Sequence, residues 1–313
     1  MEEKSENKEY SLVDILFGVA GPRGDSTFDK ILGILCVHRL LWFPWGLMSA
    51  SVGLFLFMIY SPHKLEVWKI FIGLFAAGLL TRVISLADML YDWWIGEDER
   101  LGPPNSTLPL VTGLLSPWTI IFFMVTETVF CLSVAYFLFN IETLIVAVIL
   151  LIWGVTYSAS PPLNSLTELQ RRIYRSLSGL MAFGGVAMVA PDAILSTKSL
   201  FIALTVVIGC LSYHDKDSRR FEPLNPSQTI KFTGLMTLIE YITLFGLWYI
   251  FGLNFVFLGI YLILNIPKVT KILDSLEDPR KHETHIKLTH YGVITYTLML
   301  LIINVTAIFH IFF

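Results

Sequence analysis

The feature that most constrains this chain is a succession of apolar runs, each long enough to cross a bilayer. A membrane-spanning helix needs about 20 largely apolar residues. Such stretches fall near 32–59, 67–92, 116–139, 141–159, 176–195, 199–215, 229–251, 253–272 and 289–312. Lipid offers no partner to backbone N–H and C=O groups, so runs of this kind fold as helices whose hydrogen bonds close within the segment. The composition agrees: 55% of residues are hydrophobic and 15% charged, with a mean hydropathy of +0.67, outside the range of soluble domains of this size. The expected fold class is therefore an all-α polytopic membrane protein, a nine-transmembrane-helix bundle integral to the lipid bilayer.

Charge placement orients this bundle. Lys and Arg beside span ends stay cytoplasmic. The N-terminal segment and the loops after even-numbered spans hold most of them, Lys268 and Lys271 included, whereas the opposite side has only Lys64, Lys69 and Lys198. The N-terminus and the even-numbered loops are expected to be cytoplasmic. The opening "MEEKSENKEYSLVD" lacks the apolar core of a secretory signal, so residues 1–30 read as a cytosolic tail and 31–313 as the intramembrane domain. A net charge of −3 provides no basic field for nucleic acid. Cys36, Cys131 and Cys210 each sit in an apolar run without metal-ligand spacing and read as small packing residues. His282, His285 and His290 lie in a basic loop and read as solvated.

Two acidic clusters follow the second and sixth spans, and an odd–even count puts both on one face. The first is "SLADMLYDWWIGEDERLGPP". Asp88 and Asp92 are four residues apart within the end of an apolar helix, so their carboxylates share a face about one turn apart. Like charges so placed repel unless a cation sits between them, and ionisable groups at this depth are functional candidates by default. Glu97, Asp98, Glu99 and Arg100 continue the cluster. The second is "SYHDKDSRRFE", with Asp215, Lys216, Asp217, Arg219, Arg220 and Glu222. Acid–base runs in such loops are ordinarily solvated, but two carboxylate clusters facing each other suit Mg²⁺, a hard cation that prefers oxygen and bridges to phosphates. Lys216, Arg219 and Arg220 are then placed to clamp phosphate oxygens. The chemistry implied is metal-assisted departure of a diphosphate. Arg39, Arg82, Glu127 and Glu240 are further charges inside apolar spans. Each calls for a partner, and for Arg82 a structural ion pair is as consistent as a substrate contact.

These motifs resemble the UbiA superfamily of intramembrane prenyltransferases, a nine-helix bundle with an NDxxDxxxD motif after helix 2 and a DxxxD-like motif with a neighbouring YxxK after helix 6. In "DMLYDWWIGED" Asp88 stands where that family has Asn, Asp92 matches the central Asp, and Gly96 occupies the last position, with Glu97 and Asp98 just after. In "YHDKDSRRFE" Tyr213 and Lys216 match YxxK, Asp217 the first acid, and Glu222 follows one residue late. "YSASPPLNSL" resembles the segment after helix 4, and "ERLGPPNSTLP" the continuation after the first motif. The matches come in family order over most of the chain.

The resemblance implies a central cavity open to the cytoplasmic side that binds a prenyl diphosphate with Mg²⁺. The metal set it implies is Asp88, Asp92, Glu97, Asp98, Asp215, Asp217 and Glu222; Arg100, Tyr213, Lys216, Arg219 and Arg220 hold the diphosphate; and Asp88, Asp92 and Asp217 carry catalysis. Tyr91, Trp93, Trp94, Trp42, Trp45, Trp153 and Tyr157 are available to face an allylic cation or to anchor and pack helices. Prenyl transfer to a lipophilic or aromatic acceptor is the leading expectation. The departures at Asp88 and Gly96 keep open an acceptor-free terpene cyclase. A non-enzymatic lipid or ion carrier is the reading from another class, against which stands the position of the charge at one membrane edge rather than at the midplane.

Overall fold

A computed structural model describes residues 11–16, 18–22, 24–39, 42–60, 65–159, 176–212, 226–277 and 282–312, and everything described is helix or the turns between helices. The elements are α1 (Leu12–Leu16), α2 (Thr27–Val37), α3 (Trp42–Met58), α4 (Val67–Trp94), α5 (Glu97–Leu101), α6 (Pro117–Val134, prolonged by a π turn, Ala135–Phe139), α7 (Ile141–Ala159), α8 (Met181–Val189), α9 (Thr197–Leu211), α10 (Pro226–Phe251), α11 (Phe255–Leu264), α12 (Ile266–Glu277) and α13 (His282–Phe312). Among the described residues four helices are long and apolar enough to cross a membrane, and the bent pair α11–α12 makes up to five. Apolar stretches of α3, α7 and α9 are shorter.

The sidedness of these helices is that of a membrane protein turned outward. On α10 the exposed stripe is Leu235, Leu238, Ile242, Phe245 and Tyr249, whereas Thr229, Thr233, Thr237, Glu240 and Thr243 are buried. On α6 the exposed stripe is Trp118, Phe122, Val125 and Val129. Apolar residues repeating every three to four positions on the outside, with polar ones inside, have lipid rather than water as their solvent. The protein is an integral multi-pass membrane protein.

Three spans expected from hydropathy take a different form. The run 32–59 is broken where α2 gives way to α3, and Arg39 there adopts a left-handed backbone at φ 39°. Ser26 and Asp29 close a reciprocal capping box at the start of α2, so this helix has its own beginning as well as its own end. The run 253–272 becomes α11 and α12, bent by 41° at Asn265, where Pro267 lacks the N–H that a continuous helix would use. Within 176–195 the α-helix is confined to α8, between short 3₁₀ turns. Residues assigned to the N-terminal tail also join the body: Ile15 and Ala20 are buried with Cys36 and Leu108, and the Gly21 N–H donates to Thr107 Oγ1 at 3.0 Å.

α3 is the hub, packing on α8, α4 and α13. Its contact with α8 requires glycine. A Cβ on Gly185 would lie 1.8 Å from the Ala50 carbonyl oxygen, and one on Gly53 would lie 2.0 Å from that of Ala182. With no hydrophobic drive between helices in lipid, close backbone approach through small residues provides the packing.

Candidate active site at the end of the fourth helix

α4 runs through the body and carries Arg82, Ser85, Asp88 and Asp92 at spacings of three, three and four, which puts them on one face. Asp88 is paired. Arg39, at the break between α2 and α3, donates through Nη1 to its Oδ2 at 3.2 Å. Asp92 lies one turn on, in electrostatic range of Asp88, Asp98, Arg39 and Glu97. Asp88 and Asp92 share one face of α4 a turn apart, and Arg39 sits on Asp88.

The chain then doubles back. Gly96 takes φ 70°, a conformation that costs glycine little, and α5 follows immediately. Glu97 accepts two bonds from Arg100, at 2.8 Å from Nε and 2.7 Å from Nη2. These hydrogen bonds and the carboxylate's charge push the Arg100 pKa still higher. Asp98 turns inward, only 2% exposed, and accepts from Asn105 Nδ2 at 3.1 Å. The turn that follows Pro103 and Pro104 thus holds one of the two acids after Gly96, while Arg100 stays at the surface on Glu97.

The other intramembrane charges have partners that no linear pattern names. Arg82 Nη2 donates to Glu127 Oε1 of α6 at 2.9 Å, with His38 Nδ1 3.8 Å from the same oxygen. Glu240 of α10 faces Lys268 of α12 at 3.1 Å, and Tyr261 donates to its other oxygen. Lys268, counted from sequence among the loop bases, is 1% exposed and also donates to Ser212 Oγ at 2.9 Å. It is a core residue. The detectable signal in each case was a charge within an apolar run; the pairing itself was not readable.

Ser212 closes α9. Tyr213, Asp215, Lys216, Asp217, Arg219, Arg220 and Glu222 lie outside the described residues, as do Lys281 and most of "YSASPPLNSL". Among the described residues no three acidic, His or Cys side chains gather so as to hold a metal ion. The aromatic group is dispersed: Trp45 donates to Thr297 Oγ1 of α13 at 3.0 Å, Trp94 is exposed, and Tyr91 is buried. No disulfide joins the three cysteines, and Cys36 and Cys131 are buried.

No protein-family model and no curated protein matches the sequence. Solved structures do match the fold. A digeranylgeranylglyceryl phosphate synthase superposes with a TM-score of 0.63 at 17% identity, covering 90% of this chain and 99% of its own. A UbiA homologue from Aeropyrum pernix K1 gives 0.62 at 16%, covering 84% and 98%. A UbiA homologue from Archaeoglobus fulgidus, solved with GPP and Mg²⁺, gives 0.56 at 21%, covering 90% and 99%.

Proposed function

We infer, for a chain that has the UbiA fold, the activity of an intramembrane prenyltransferase: Mg²⁺-dependent ionisation of a prenyl diphosphate and transfer of the prenyl group to a lipophilic acceptor. The observation that carries this reading is the set of carboxylates at the end of α4, where Arg39 pairs with Asp88 and Asp92 lies in electrostatic range of Asp88 and Asp98, in a fold whose Archaeoglobus fulgidus example was solved with GPP and Mg²⁺.

The donors are of the type a hard cation takes, although among the described residues they do not by themselves gather around one point. They are all oxygen, and the excess negative charge of Asp88, Asp92 and Asp98 over Arg39 calls for compensation. Asp88 and Asp92 would hold the ion from the helix and Asp98 from the turn, standing in for the acid that Gly96 omits; Asp215, Asp217 and Glu222 would complete the set. When bound, Mg²⁺ would neutralise charge on the departing diphosphate. Arg39, with Asp88 on one side of its fork, keeps N–H groups for phosphate oxygens. Lys216, Arg219 and Arg220 would clamp the same group. The C1–O bond breaks with its electron pair on the diphosphate, the acceptor's electron pair closes on C1, and the proton the acceptor loses passes to the released diphosphate. Stabilising the charge that builds on the leaving oxygen is what lowers the barrier. The reading includes a bundle of nine spans with its cavity open to the cytoplasm.

The test is pyrophosphate release from GPP by the purified chain in lipid nanodiscs, with Mg²⁺ or EDTA. Release in the presence of a lipid-extract acceptor with Mg²⁺ but not with EDTA, cut at least a hundredfold in Asp92→Asn, is expected. Release without Mg²⁺, or an unimpaired Asp92→Asn, would overturn the reading. A cyclic product without acceptor would reassign the enzyme as a cyclase.

A further inference from the structure

The chain ahead of α2 is tied to the same turn that holds Asp98. Ile15 and Ala20 are buried against Cys36 and Leu108, and Cys36 Sγ donates to the Ala20 carbonyl oxygen at 3.4 Å. The next residue meets the turn at two points. Gly21 N–H donates to Thr107 Oγ1, 86 residues away, at 3.0 Å, and a Cβ on Gly21 would lie 2.0 Å from the Thr107 carbonyl oxygen, an approach open to glycine alone. Residues 18–22 are thus a strap, fixed to α2 at Ala20 and laid on the turn at Gly21.

The acidic cluster is on the other side of that turn. Asn105–Thr107 is a single 3₁₀ turn. At its start Asn105 Nδ2 donates to Asp98 Oδ1 at 3.1 Å, and at its end Thr107 receives the strap. The two contacts are coupled within the turn: Thr107 Oγ1 donates to the Pro104 carbonyl oxygen at 2.7 Å, and the Thr107 N–H donates to the same oxygen at 3.0 Å. One hydroxyl therefore accepts from Gly21 and donates to the residue just before Asn105. α5, which carries Asp98, is five residues long, too short to keep its place by its own hydrogen bonds. What packs on the turn after it sets where the Asp98 carboxylate stands, and Asp98 lies in electrostatic range of Asp92. We propose that Gly21 and Thr107 are positioning residues for Asp98: the strap fixes the Asn105–Thr107 turn, Asn105 passes that constraint to the carboxylate, and the affinity of the acidic cluster for a divalent cation depends on it. The inference rests on the prenyltransferase reading for the use of the cation, but not for the placement of Asp98. Partners that orient a ligating carboxylate are worth about ten- to a hundredfold in metal affinity, and the strap acts one contact further out.

The test reads cation binding directly, as loss of the free Mn²⁺ signal in electron paramagnetic resonance, on the full chain in zwitterionic nanodiscs without prenyl diphosphate. Mn²⁺ shares the carboxylate preference of Mg²⁺. Thr107→Val keeps the branched shape and removes both Oγ1 bonds; it is expected to weaken Mn²⁺ binding about fivefold, the worth of one net hydrogen bond. Thr107→Ser keeps the hydroxyl and should bind as wild type does, while Gly21→Ala, whose Cβ drives the strap off the turn, should match Thr107→Val. In an Asp98→Asn background Thr107→Val should add nothing, because the carboxylate through which it acts is gone. Mn²⁺ binding unchanged by Thr107→Val, a serine variant as weak as the valine one, the same fivefold loss with and without Asp98, or no saturable Mn²⁺ binding by wild type would each overturn the proposal. The expected pattern in a chain that releases no pyrophosphate would sink the prenyltransferase reading and leave the strap standing. Mg²⁺-dependent release with Mn²⁺ binding indifferent to Thr107→Val would do the reverse.

Discussion

Removing the ammonium of Lys268 tests whether the core of the second half is organised around one buried ion pair. Lys268 is 1% exposed and Glu240 is fully buried, 3.1 Å apart. In Lys268→Met the methionine fills much of the lysine's volume, so the loss is electrostatic rather than a cavity. Breaking a buried pair from one side costs about 3–5 kcal/mol because the remaining charge is uncompensated. Glu240 keeps the Tyr261 hydroxyl, and a stranded carboxyl can take up a proton, so the lower end applies. The expected loss is about 3 kcal/mol, roughly a hundredfold in the unfolding equilibrium. Ser212 Oγ also loses its bond from Nζ. The double variant Lys268→Met/Glu240→Gln removes both charges and leaves a side-chain amide oxygen to accept from Tyr261. It is expected within about 1 kcal/mol of wild type, giving a coupling of about 2 kcal/mol or more. The assay is unfolding in mixed micelles across a denaturing-detergent titration, with all four proteins of the cycle followed by Trp fluorescence and far-UV circular dichroism. A single variant that loses less than about 1 kcal/mol, or a double variant that loses the sum of both singles, would refute the electrostatic account.

Adjacent glycines on α8 give a matched pair. Gly185→Ala, whose Cβ would sit 1.8 Å from the Ala50 carbonyl oxygen, is expected to destabilise the protein by about 1–3 kcal/mol as α3 and α8 are forced apart, whereas Gly184→Ala, whose nearest contact is Val146 Cγ1 at 3.8 Å, should be near neutral in the same unfolding assay. The two acids after Gly96 separate likewise: Asp98→Asn should lower kcat for pyrophosphate release and raise the Mg²⁺ concentration needed for half-maximal rate by more than Glu97→Gln does, since Asp98 is buried whereas Glu97 is held by Arg100 at the surface; the reverse order would reassign the missing ligand to Glu97.

The long apolar helices, the shared face of Asp88 and Asp92 and the membrane setting were legible in the chain itself because each rests on short-range rules. About 20 apolar residues cross lipid as a helix whatever their neighbours, and residues four apart share a helical face. A glycine where an acid is expected shows in the same way. Pairing across helices obeys no such rule. That Arg39 reaches Asp88, Arg82 reaches Glu127 and Lys268 reaches Glu240 depends on how α2, α4, α6, α10 and α12 are set against one another, and residues dozens of positions apart leave no periodicity. The break at Arg39 was hidden for a related reason. Hydropathy is continuous from 32 to 59 and carries no mark of the left-handed backbone at Arg39 that ends the first helix there. Local composition therefore determined where the chain crosses the membrane and which acids share a face of α4, while the tertiary structure decided which buried charges neutralise one another, because in a low-dielectric interior each charge is stabilised by the partner that packing brings within about 3 Å.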